Sequence, residues 1–115
     1  MGIRALSGLV PEWYTPAGQD DDPAPTKFQF RPLNGRELGM VSDHIRIEDG
    51  RLMIAAEGIE RCLTMALQDW ENFEDENGPV RFSRQAMDLI PVGIRRELAS
   101  RIVTRSYLSE DDRKN

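Results

Sequence analysis

AAEGIERCLTMALQDWE, residues 55 to 71, is the stretch on which the fold turns. Ile59, Cys62, Leu63, Ala66, Leu67 and Trp70 recur at steps of three and four, which aligns them along one side of a 3.6-residue period. The spacing predicts one long central helix from about Ala55 to Glu71, packed through that stripe. Cys62 falls within the stripe, and with no base beside it reads as a small buried hydrophobe and not as a nucleophile. Gly58 costs a helix roughly 1 kcal/mol against Ala; a close backbone contact would account for it, but sequence alone does not show one.

Upstream, HIRIEDGRLMI, residues 44 to 54, reads as a hairpin. Ile45 and Ile47 alternate, Asp49-Gly50 turns the chain, and Leu52 and Ile54 resume the pattern. A helix continuing through His44 is the competing reading, and Asp-Gly favours the hairpin. KFQFRPL, residues 27 to 33, alternates Phe28 and Phe30 as a short half-buried strand that Pro32 ends or confines to an edge. Asn34 caps a short helix from Gly35 to about Val41, with Glu37 placed to close a capping box. Residues 1 to 26 carry Pro11, Pro16, Pro23, Pro25 and the run Asp20-Asp21-Asp22, a composition that favours an extended arm. Leu9, Val10, Trp13 and Tyr14 form an apolar knot in that arm. Trp13 either folds back on the domain or anchors a partner, and the sequence leaves both open.

Downstream, DWENFEDENGPVRFS, residues 69 to 83, holds five carboxylates and an Asn-Gly. As a calcium loop with Gly78 at position 6, it puts Phe73 at position 1 and Arg84 at position 12, where the ion needs carboxylates. As an acid-base pair, its carboxylates run into an Asn-Gly-Pro turn that leaves them in water and ionised. The stretch reads instead as a helix end pinned by Trp70 and Phe73, a turn from Asp75 to Gly78, and an extended link through Val80 and Phe82. Ser83 then caps a helix over Arg84 to Ile90, and Pro91 opens another with Ile94, Leu98, Ile102 and Val103 as its stripe to about Tyr107. Ser109 opens a last short turn, SEDDRK. The resulting fold class is mainly α with a minor β part: an arm over 1–26 and one mainly helical domain over 27–115.

The chain has 115 residues, enough for one modest core. A single Cys and a single His exclude an internal disulfide, a Cys-pair zinc site and a supported Cys-His dyad. No Gly-x-Ser-x-Gly elbow or phosphate-binding glycine loop is present. These observations predict a protein that is not an enzyme, with no metal and no cofactor. The net charge of -5 argues against broad nucleic-acid binding. No apolar run reaches the ~20 residues of a membrane span, and the N-terminus lacks the core of a signal peptide, so an untethered intracellular protein is expected. Thirteen of the fifteen basic residues are Arg, and six of them lie in residues 81 to 105. Arg suits carboxylate and protein surfaces. The candidate partner-binding residues are therefore Trp13, Tyr14, Arg95, Arg96, Arg101 and Arg105, with Glu74, Asp75 and Glu76 of the acidic turn.

Taken in order, the WYTP arm, FQFRPLNGRE, the Asp-Gly hairpin, ALQDWENFEDENGPVRFS and LIPVGIRRELASRIVTRSYLSEDDRKN resemble the tail assembly chaperone family of long-tailed bacteriophages. The resemblance spans about residues 12 to 115 and rests on the order and spacing of the motifs. It implies a small, mainly helical, non-enzymatic protein that binds the tape-measure protein, the tail-tube protein or both during tail morphogenesis. It also implies action in the host cytoplasm and absence from the finished virion. Two other readings stay open: a structural tail component such as a completion or connector subunit, and a small phage protein inhibiting a host factor. Self-association is compatible with all three.

Overall fold

The computed structural model describes Gly2, residues 10–19 and residues 21–114. Leu9 of the apolar knot and Asp20 of the acidic run lie outside the described residues. Strand β1 (Glu12–Tyr14) pairs antiparallel with β2 (Lys27–Phe30). Helix α1 (Gly35–Val41) and a single 3₁₀ turn lead into β3 (Ile45–Glu48) and β4 (Arg51–Ile54), which among the described residues pair only with each other. Helix α2 (Ala56–Ala66) is followed directly by β5 (Leu67–Glu71), which pairs with the other edge of β2. A two-residue ribbon, β6 (Glu74–Asp75) with β7 (Gly78–Pro79), and a 3₁₀ helix over Gln85–Leu89 precede the terminal helix α3 (Val92–Lys114).

This corrects the expected fold class. The described residues hold seven strands in three sheets of two or three strands beside the helices, which makes a small α+β domain and not a mainly α one. The main reason is the stretch read as one long helix. Its last five residues leave the helix at Leu67, where ψ swings to 130°, and become β5. In β5 a bulge imitates helical spacing. Phe28 faces Trp70 and Gln29 faces Asp69, but Phe30 faces Leu67, so Gln68 is an extra residue. The two buried positions of β5, Leu67 and Trp70, are therefore three apart, where a regular strand would place them two apart. That step prolongs the stripe of α2 by one false turn.

The second reason is the arm. Glu12 to Tyr14 form a strand, and β2 is the middle strand of the order β1-β2-β5. Phe28 and Phe30 consequently face inward from a paired strand and are 1% and 0% exposed. Pro32 lies beyond the last paired residue and ends the strand, one of the two roles expected of it. The C-terminal part differs too. Residues 80 to 83 belong to no strand, although Val80 N donates to Phe73 O at 2.8 Å, the turn after Ser83 is a short 3₁₀ helix, and α3 continues through Ser109 without a break. Ser83 does receive the Ala86 N–H at 3.0 Å.

Other local expectations match. Asn34 Oδ1 accepts from Glu37 N at 2.9 Å while Glu37 Oε1 accepts from Asn34 N at 3.0 Å, closing the capping box. Asp49 and Gly50 both have positive φ (51° and 76°), as the two-residue hairpin turn requires. Between the sheet and α3 the core is filled by Ile59, Cys62, Leu63 and Ala66 from α2 and by Leu98, Ala99, Ile102 and Val103 from α3. One polar side chain is enclosed with them: Ser106 Oγ donates to Ile102 O at 2.6 Å and accepts from Leu33 N at 2.7 Å. It thereby satisfies a backbone donor that no ladder reaches.

Cys62 is fully buried, and burial pushes its thiol up to about 11. The folded protein is expected to resist iodoacetamide at pH 8 and to react only once unfolded in urea; prompt labelling of the native chain would contradict the burial. Arg31 holds Glu37 with two bonds, at 2.8 and 2.7 Å, and also reaches Met65 O, tying β2, α1 and α2 together. That bond draws the Glu37 carboxyl below its ordinary range, against the opposing effect of burial. A carboxylate depressed in the folded state stabilises it above the unfolded value and loses that contribution as pH falls. Glu37→Gln should therefore lower stability at pH 7 and flatten the loss of stability on acidification, as followed by urea midpoints from pH 7 to 3.

Candidate interaction surface

Strand β1 is bracketed by Pro11 and Pro16, which limit it to three residues. Its alternation decides what each side chain does. Glu12 and Tyr14 turn toward α3, and Trp13, opposite Gln29, turns outward and remains 43% exposed. Among the described residues, no strand pairs with the other edge of β1.

The inward side is a polar clasp. The Tyr14 hydroxyl donates to Glu97 Oε2 at 2.6 Å, and the Ala17 N–H donates to the same oxygen at 2.9 Å. Burial, followed by the hydrogen bond and charge of Glu97, pushes the phenol up to about 12, while Arg101 opposes the shift. The Arg101 guanidinium lies 5.7 Å from the Tyr14 ring centre. Glu12 stands between Arg101 Nε at 3.4 Å and Arg105 Nε at 3.2 Å. Its apolar complement is Tyr14, whose ring centre lies 6.4 Å from that of Phe30, and Pro16, which is fully buried. The arm is held to the domain by both kinds of contact.

The structure thus brings together Trp13, Tyr14, Arg101 and Arg105 of the residues nominated by sequence. Tyr14, Arg101 and Arg105 are engaged within the chain, which leaves Trp13 as the free member. Arg95 pairs with Glu60 and is 19% exposed. Arg96 is exposed and makes no ion pair among the described residues. Glu74, Asp75 and Glu76 are all exposed on the β6–β7 ribbon, and Glu74 lines the cleft that also takes in Pro16 and Ile94. Sequence reasoning missed Glu12 and Glu97, the two anchors of the clasp. The available signal was Glu97, one of only two acids among the arginines of residues 81 to 105.

A cleft of about 430 Å³ opens beside the clasp, between Pro16, Phe28, Phe73 and Ile94. Its polar rim is used internally: Gln19 Oε1 accepts from Thr26 N, Thr26 Oγ1 donates to Asn72 O, and Asn72 Nδ2 donates to Pro25 O. These bonds fasten the loop after β1 to the end of β5. Among the described residues, no group of three or more His, Cys, Asp or Glu side chains is placed to hold a metal ion. No helix among them is long and apolar enough to cross a membrane. Comparison with protein-family models, with curated proteins and with solved structures gives no match to this chain.

Proposed function

We propose that this chain is a non-enzymatic assembly chaperone of a phage tail, acting in the infected bacterium on the tape-measure protein, the tail-tube protein or both. The observation that carries the reading is the open edge of β1 with Trp13 exposed on it. An extended partner segment adds to such an edge through main-chain hydrogen bonds, and an aromatic beside it supplies the anchor. The ordered sequence motifs support the phage-tail part of the reading. The edge offered is only three residues long, which suits a temporary hold, since a chaperone must release what it binds.

Co-expression with the tape-measure and tail-tube proteins tests the reading. A soluble complex is expected, with Trp13→Ser weakening it at least tenfold while the fold, monitored by circular dichroism, stays intact. Failure of both proteins to associate sinks the proposal. Stoichiometric presence of the chain in purified particles would favour a structural tail subunit instead.

A further inference from the structure

A strand that adds to the free edge of β1 lies about 4.8 Å beyond it, with side chains alternating between the same two faces. On the outward face its neighbour is Trp13. On the inward face its neighbours are Glu12 and Tyr14 and the two arginines of α3 that reach them, Arg101 and Arg105.

Both arginines are incompletely paired. Each meets the Glu12 carboxylate through Nε, and Glu12 Oε1 and Arg105 Nε are buried without a hydrogen-bond partner. The contact is one of charge, without the two parallel bonds that Arg31 makes to Glu37. Among the described residues, no Nη atom of Arg101 or Arg105 donates a hydrogen bond, and the two side chains are 45% and 39% exposed. Glu97 does not make up the difference. One of its oxygens already accepts from Tyr14 and Ala17, and it lies two turns, about 12 Å, from Arg105 along the helix. One carboxylate therefore faces two guanidiniums beside the open edge.

The spacing suits a strand. Tyr14 reaches Glu97 while Glu12 reaches Arg105, so β1 and α3 run side by side in opposite senses. Successive inward positions on a strand are about 6.8 Å apart, and Arg101 and Arg105 are about 6 Å apart along α3. Resting on the docking reading of this edge, we infer that the partner segment alternates acidic and apolar side chains. Its carboxylates turn in to Arg101 and Arg105, and its apolar side chains turn out beside Trp13. A register shifted by one residue exchanges the two sets, and a basic strand meets like charge on the inward face.

Fluorescence anisotropy on the full chain is the test, with a labelled nine-residue peptide in which glutamate alternates with valine. That peptide should bind saturably. Replacing its glutamates by lysines, or gathering them into one block, should weaken it at least tenfold. Arg101→Gln with Arg105→Gln should also cost at least tenfold, while Arg96→Gln, on the opposite side of α3 from Arg105, should change nothing. Glu12→Gln separates recognition from a merely structural role. It breaks the same clasp but releases both guanidiniums, so it should bind the glutamate peptide at least twofold more tightly. No saturable binding, equal binding of the glutamate and lysine peptides, or a loss in Glu12→Gln matching that of the arginine variant overturns the inference. Tail proteins that associate equally well with and without the two arginines also overturn it and leave the chaperone reading standing. Tail proteins that fail to associate, with the glutamate peptide still bound, remove the chaperone reading alone.

Discussion

Trp70→Ala is expected to lower the unfolding free energy by about 3–5 kcal/mol. Trp70 is 6% exposed, with its ring 5.0 Å from Phe73, 4.8 Å from Phe82 and 6.2 Å from Phe28, centre to centre. It therefore joins β5 to β2 and to the unpaired link after the acidic ribbon. Its indole N–H also donates to Val80 O at 2.7 Å, one of the few bonds holding that link in place. Alanine would leave a cavity and a carbonyl without its donor. For a domain whose total stability is about 5–15 kcal/mol, the loss is large enough to read from urea midpoints. Trp70→Phe keeps most of the packing and should cost about 1–2 kcal/mol through the lost hydrogen bond. A loss below about 1 kcal/mol for the alanine variant would contradict the position of β5.

Gly58→Ala sets two effects against each other. Helix propensity favours alanine by about 1 kcal/mol. In the folded chain, however, a Cβ on Gly58 would stand 2.6 Å from His44 Cβ and 3.0 Å from Ile54 Cγ2. His44 Cβ is fixed to its own backbone and cannot swing away, so the hairpin root must move, at about 1–3 kcal/mol or more. Sterics should win, with a net loss of about 2 kcal/mol. Gly39 in α1 is the control, because nothing lies within 4 Å of the Cβ it would carry. Gly39→Ala should raise stability by up to about 1 kcal/mol. If thermal unfolding shows both alanines stabilising, the contact between α2 and the root of β3 is wrong.

The parts of the fold that were legible in sequence are those fixed by local chemistry. Asn34 with Glu37 announces a cap, Asp49-Gly50 announces a hairpin turn, and the spacing through Ile59, Cys62 and Leu63 announces a helix. What was not legible depends on partners far away in sequence. Leu67 and Trp70 keep helical spacing because Gln68 bulges, and only pairing with Phe30 and Phe28 shows that β5 is a strand. Glu12, Trp13 and Tyr14 are too few to register as a strand until β2 lies beside them. A close backbone contact would have accounted for Gly58, but sequence could not show one, and the close neighbours are the side chains of His44 and Ile54. On the surface, the sequence left Trp13 open between folding back on the domain and facing a partner, and only its place on β1 shows it turned outward. Tyr14, Arg101 and Arg105 were nominated for a partner, yet their first obligations are to Glu97 and Glu12 within the chain.

Amide hydrogen exchange on the chain, alone and in complex with the tape-measure protein, tests the edge-strand account most directly. Slowed exchange on binding is predicted at residues 12 to 15, with smaller effects on the outward face of β2. Protection confined to the β3–β4 hairpin or to the acidic ribbon, with β1 unchanged, would contradict it.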